Sequence, residues 1–300
     1  MKFRAHDTFF IRKGWLSKGV KNVLLSPDVF ISKTDNPMDM LGIGANMVKA
    51  LRYWLMAVGL TEEPRSGRRE QTLTHLGHIV NENDPYMEEL GTLWLLHYRL
   101  ASNLNEATAW YYFFNVFKPS EFTREDFSTQ LKSFLRIQDE EVSERSIDDD
   151  YMCIINTYIS RIKANPSKVD PESNIDCPLG ELGLIDIVNR KAKVYKKSPP
   201  KKDMLHPLIL LAVILDQADG EKTIRISEIQ NNPCNAGKIF NLDIIELTAL
   251  LYKIELMGFI KVIRTAGLDV VRIETDLDFS ECVNEYYRRI NDSSVRSNIC

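Results

Sequence analysis

The chain has 300 residues, 44% hydrophobic and 27% charged, which is enough apolar material for two or three ordinary cores. A formal net charge of -4 excludes a general attraction for polyanions, so any nucleic-acid contact depends on local basic faces. Five cysteines without CxxC or Cys/His spacing exclude a zinc-ligand motif and read as free thiols of a reducing cytoplasm.

The opening residues Met1 to Asp7 lack the apolar run of a signal peptide, and the longest apolar stretch, around Leu208 to Leu215, is too short to cross a bilayer. A cytoplasmic protein without membrane contact is expected. Phe9, Phe10, Trp15 and Leu16 precede a helical stretch that runs to about Leu25, where Pro27 and Asp28 mark a break. Gly42 and Gly44 allow a tight entry into a helix from about Asn46 to Gly59, leaving free amides at its N-terminus. They lack the lysine and spacing of a P-loop.

The segment after that helix carries Pro64, Gly67 and three arginines, which places the arginines at a hairpin tip; Thr74 is the predicted cap of the next helix. Met87 to Ala101 and Ala107 to Phe117 are apolar on nearly every side and predict buried helices. Further helices are expected from Thr123 and over Ile147 to Ile162, with Asp148, Asp149 and Asp150 read as a wet helix entry. A loop follows between Pro166 and Asp176, and the basic run from Arg190 to Lys202 is expected to be an inter-domain connector that can track phosphates. Helices near 205-217, 226-231 and 241-257, a hairpin and a closing helix near 279-290 complete the chain.

One pattern occurs twice. Leu51, Tyr53, Leu55, Val58 and Gly59 match Leu250, Tyr252, Ile254, Met257 and Gly258, each set followed by a cation-bearing hairpin. Helical spacing, a glycine C-cap and a hairpin read as a winged helix. The expected fold is mainly α with short β-hairpins: two winged-helix-like modules joined by a helical middle region. The expected divisions are 1-118, 119-188, the connector 189-202, and 203-300.

Candidate DNA contacts are Asn46, Lys49, Arg52, Arg65, Arg68 and Arg69 in the first module, with Lys253, Lys261 and Arg264 in the second. Acidic Asp243, Glu246 and Glu255 on the second helix make a protein-contacting role equally open. His6, Asp7 and Arg12 form the one polar set among bulky apolar residues, where a histidine beside a carboxylate suits acid–base chemistry and Arg12 suits a phosphate. His75 and His78 lie three apart without a third ligand, so no metal site is assigned.

His6-Asp7-Thr8-Phe9, Gly14-Trp15-Leu16, Gly42-Ile43-Gly44-Ala45-Asn46, Arg52-Tyr53-Trp54, Asp84-Pro85-Tyr86 and Gly91 through His97 carry a family resemblance. Together they resemble the bacterial SspB-like proteins, which have a domain of unknown function and are encoded beside DNA phosphorothioation genes. That resemblance implies a part in sulfur modification of DNA for phage defence, with one strand nicked so that sulfur can enter. It implies duplex DNA and other phosphorothioation proteins as partners, and a divalent cation if the protein is a nuclease. The chain departs from the family pattern at Ala5, Asp7 and Ala45. A non-catalytic adaptor and a winged-helix transcription regulator are the alternatives.

Overall fold

The computed structural model describes residues 1–159, 176–265 and 268–297. About half of the chain is helical and the strands form small antiparallel sheets, a mixed α/β architecture divided into two compact units, Met1–Ser198 and Pro199–Cys300. The loop expected between Pro166 and Asp176 lies almost wholly outside the described residues. No described helix is long and apolar enough to cross a membrane.

In the first unit, α1 (Trp15–Leu25), α2 (Pro37–Leu41) and α3 (Ala45–Ala57) lead into a hairpin of β1 (Thr61–Glu62) and β2 (Thr72–Leu73), then α4 (His75–Asn83). Thr74 caps α4 as predicted, its hydroxyl accepting the Gly77 amide at 3.0 Å. The aromatic-rich α5 (Leu90–Ala101) and α6 (Thr108–Asn115) supply the centre of the core, with Trp94, Tyr98, Trp110 and Phe113 all sealed from solvent. β3 (Glu121–Phe122) precedes α7 (Arg124–Ile137), which opens on a capping box between Thr123 and Asp126, and α8 (Glu144–Tyr158) packs against it.

A three-stranded sheet follows. β4 (Ile185–Asn189) and β5 (Val194–Lys197) join β3 in a sheet of order β3-β5-β4, so most of the run expected to be a connector is a hairpin inside the first unit. Lys197 explains why this strand stays in place. Its ammonium donates to the carbonyls of Phe113 and Phe117 at the end of α6, both at 2.5 Å, and lies 4.8 Å from the Phe113 ring centre. A cation at a helix C-terminus over an aromatic face is held by both the dipole and the ring quadrupole.

The second unit runs α9 (Pro207–Ala218), β6 (Thr223–Arg225), α10 (Ile226–Asn231), α11 (Ala236–Ile239), α12 (Ile244–Leu256), β7 (Ile260–Thr265), β8 (Leu268–Ile273) and α13 (Phe279–Ser297), with sheet order β6-β8-β7. The repeated sequence pattern has one structural meaning at its end. Gly59 and Gly258 are left-handed, at φ 72° and 84°, and the amide of the next residue reaches back to Leu55 or Ile254, the double closure of a Schellman stop. The faces differ: Tyr53 is buried with its hydroxyl on the Glu106 carbonyl, whereas Tyr252 is exposed.

The N-terminal segment is pinned to α8 through a fully buried pair. His6 Nε2 lies 2.7 Å from Asp150 Oδ1, and the same oxygen accepts the Arg4 amide at 2.8 Å. Because the Thr8 amide points its hydrogen at His6 Nδ1, 3.1 Å away, the ring proton sits on Nε2 and is donated to Asp150. The ring stacks on Trp54 and meets Trp110 edge-on. Asp150 is therefore no wet helix entry; it is 1% exposed, in the middle of α8.

Removing the carboxylate by Asp150→Ala leaves the ring and the Arg4 amide without an acceptor and should lower stability by about 3–5 kcal/mol, as for other broken buried pairs. Burial raises the Asp150 pKa above its ordinary 3.8, against the opposing hydrogen bond from His6. The folded state thus holds this proton more tightly than the unfolded chain, and stability is full below 3.8 and declines as pH climbs through the raised value. Urea midpoints of the wild type, taken relative to Asp150→Asn, are expected to fall over that climb; a pH-independent difference would contradict the assignment.

Candidate nucleic-acid interface

α3 begins at Gly44 with no side-chain cap, and its first turns present Asn46 and Lys49 to solvent. The hairpin that follows is organised by one carboxylate. Glu63, 5% exposed at its side chain, takes Arg52 Nε at 2.6 Å, Arg69 Nε at 3.3 Å and Gln71 Nε2 at 3.2 Å. Arg52 also donates to the Arg69 carbonyl, so it clamps the hairpin to α3. Its guanidinium, expected as a DNA contact, is thus engaged by a nearly buried partner within the protein.

Arg68 bridges Asp28 at 2.9 Å and Glu70 at 3.1 Å, yet 65% of its side chain is exposed, and Arg69 is similarly open. Exposed pairs of this kind are weak and exchangeable. Arg65 and Lys49 are exposed and make no ion pair among the described residues. Of the five cations expected on α3 and its hairpin, two are thus unpaired among the described residues, two are exchangeable and one is structural.

His6 has no nitrogen free for proton transfer, since both are hydrogen-bonded behind a sealed surface. Acid–base work by this ring would require breaking the network that holds the segment. Asp7 and Arg12 are half-buried. The Arg12 guanidinium lies over the Trp15 ring at 5.1 Å and near Phe9 at 5.9 Å, a cation–π cradle that leaves its donors for another partner. Asp7 and Thr8 are both left-handed, at φ 49° and 68°. Consecutive residues of this kind are strained and concentrate where function constrains the backbone.

The acidic triplet fans out along α8. Asp148 pairs with Arg124, Asp149 with Arg4 at 2.7 Å, and Asp150 with His6. Adjacent helical residues point apart, and each here answers a different partner. Among the described residues no three His, Cys, Asp or Glu side chains converge to hold a metal ion, and His75 and His78 are exposed.

In the second unit each expected contact has a carboxylate beside it. Lys253 lies 2.8 Å from Asp203, Lys261 lies 3.0 Å from Glu255, and Arg264 donates to Thr248 with Asp269 4.0 Å away. These lysines hold Asp203 and Glu255 below the usual carboxylate range, chiefly through direct hydrogen bonds. The outward face of α12 is apolar, with Ile245 76% and Leu256 88% exposed. That is the opposite of a phosphate-facing surface.

The basic run expected to track phosphates as a connector is placed on a hairpin instead. Arg190, Lys191 and Lys193 form the tip of the β4–β5 hairpin, exposed and without ion pairs among the described residues. The basic run was the available signal, but its alternation was too short to distinguish a hairpin from a linker.

No curated protein matches the chain. Among solved structures it is similar to a magnesium ion-bound SspB crystal structure, at TM-score 0.83 and 27% identity over 96% of this chain and 88% of that one. It also shares its fold with a second SspB crystal structure, at TM-score 0.79 and 24% identity over 98% and 96% of the two chains. The family profile described as protein of unknown function (DUF4007) matches residues 3–287, and the chain belongs to that family.

Proposed function

We propose that this protein is the DNA-binding component of a bacterial DNA phosphorothioation system and grips duplex DNA through its first unit. The observation that carries the reading is the exposure of Lys49 on α3 and of Arg65 on the hairpin after it, both without carboxylate partners among the described residues. Similarity to SspB supplies the phosphorothioation context. In this reading both helix–hairpin elements are winged-helix-like: β6-β8-β7 with α12 has the strand order and helix placement of that motif, and α3 with β1–β2 is its abbreviated counterpart.

Each neutralised phosphate contributes about -0.9 to the slope of log affinity against log salt. Arg65→Ala and Lys49→Ala should each flatten the slope measured with a fluorescent duplex by about one phosphate equivalent. Arg52→Ala should instead lower the melting temperature. Unchanged slopes in both single variants and their combination would remove the proposal.

Strand nicking is a separate part of the proposal and rests on Asp7 and Arg12, beside the strained backbone at Asp7 and Thr8. Magnesium belongs to the similar SspB structure, and no ligand for it is assigned here. Supercoiled plasmid incubated with Mg²⁺ is expected to yield open circles with wild type and not with Asp7→Asn or Arg12→Ala. Product that both variants leave unchanged places the scission elsewhere.

A second reading, an adaptor, is favoured by α12. Ile245, Ala249, Tyr252 and Leu256 stand outward at helical spacing, and a contiguous apolar stripe of this kind marks a protein contact. Its partners are the other proteins of the phosphorothioation system. Ile245→Glu with Leu256→Glu should abolish co-elution with a purified partner while duplex affinity holds; retained co-elution rules the adaptor surface out.

A further inference from the structure

A cavity of about 440 Å³ opens between the start of α7, the middle of α8 and the β4–β5 hairpin, lined among others by Thr123, Arg124, Tyr151, Met152, Lys193 and Tyr195. Two features of its wall ask for a ligand. Tyr151 is only 2% exposed, and its hydroxyl has no hydrogen-bond partner. A buried hydroxyl left unmade is costly, and such groups in native proteins call for an explanation in terms of a missing polar partner. The second feature is charge: Lys193 on the rim, with Arg190 and Lys191 beside it on the same turn, is exposed and unpaired, while Arg124 is engaged by Asp148.

We infer that this cavity receives one unpaired nucleotide, its phosphate on the cationic hairpin tip, its base against the Tyr195 ring, and a polar edge on the Tyr151 hydroxyl. The inference rests on the DNA-binding reading and adds single-stranded substrate to it. Size selects against the duplex, because a cavity of this volume is on the scale of small-molecule sites. Chemistry selects a base rather than a bare anion: Tyr195 is half-buried and Met152 45% exposed, so an aromatic and a polarizable face are presented together. Base–aromatic stacking over a cationic groove is the usual means of holding single strands. Glu125 is the one carboxylate of the lining and favours the exocyclic amines of a base over a second phosphate.

Two sources share this chemistry, a nucleotide within a strand and a free nucleotide. The test follows binding of a labelled ten-residue oligodeoxycytidylate, whose bases carry an exocyclic amine, by anisotropy, and of deoxycytidine monophosphate by calorimetry, using the full chain. Tyr151→Phe should weaken the oligonucleotide about fivefold, and Tyr195→Ala about tenfold, while duplex affinity is unchanged. Tyr151→Phe should also melt no lower than wild type, since the hydroxyl it removes is unpaired in the protein alone. Saturable binding of the mononucleotide, weakened by the same variants, assigns the site to nucleotides as such; oligonucleotide effects without it assign the site to strands. Unaltered oligonucleotide affinity in both variants, or no oligonucleotide binding by wild type, overturns the inference. Failure of the duplex reading shows separately, as a salt slope indifferent to Arg65→Ala and Lys49→Ala.

Discussion

A carboxylate withdrawn from water must collect donors close at hand, and two such groups organise the first unit, one of them by taking cations that would otherwise be left for a partner. Asp150 gathers the His6 ring and the Arg4 amide; Glu63 gathers Arg52, Arg69 and Gln71. Both are nearly sealed, so leaving either without donors is costly, and the groups that answer them are structural before they are functional. What the protein can offer a polyanion is the remainder. That remainder includes Lys49 on α3, Arg65 on the hairpin after it, and Arg190, Lys191 and Lys193 on another.

Local signals made much of the architecture legible. Thr74 and Thr123 cap the helices they were expected to cap, and Gly59 and Gly258 stop theirs, because each depends on residues within one or two turns. Pairings across long separations were not legible. His6 meets Asp150 across 144 positions and Arg68 meets Asp28 across 40, and nothing in residue type or spacing marks those partners. The sheet β3-β5-β4 was hidden for the same reason, with β3 only two residues long and its partner some seventy residues on. Thus the positions of the candidate cations were readable from sequence, while their availability was not.

The same limit explains how the two halves of the repeat diverge. Equivalent spacing sets equivalent helix stops, but α3 buries Tyr53 against the core and turns polar residues outward, whereas α12 is apolar on nearly every side and exposes Tyr252. An apolar outward face beside neutralised lysines favours a protein surface. A polar outward face beside unpaired cations favours a phosphate. One local pattern therefore serves two surfaces, distinguished by tertiary burial alone.

Net charge sharpens the consequence. For the proposed DNA binding, a chain at -4 provides no net attraction within the screening length and almost no field beyond it, so approach is not steered by the molecule as a whole. Affinity must arise at contact, where a few unpaired cations act at short range and their neighbours' carboxylates are already occupied. Arg68 and Arg69 then hold a position between structure and recognition: each is tethered to a carboxylate and mostly open to solvent, so a phosphate can compete for it at the expense of a weak exposed pair. Exchange of this kind adds contacts without adding net charge, and it lets an acidic protein hold a polyanion only where the hairpin fits it.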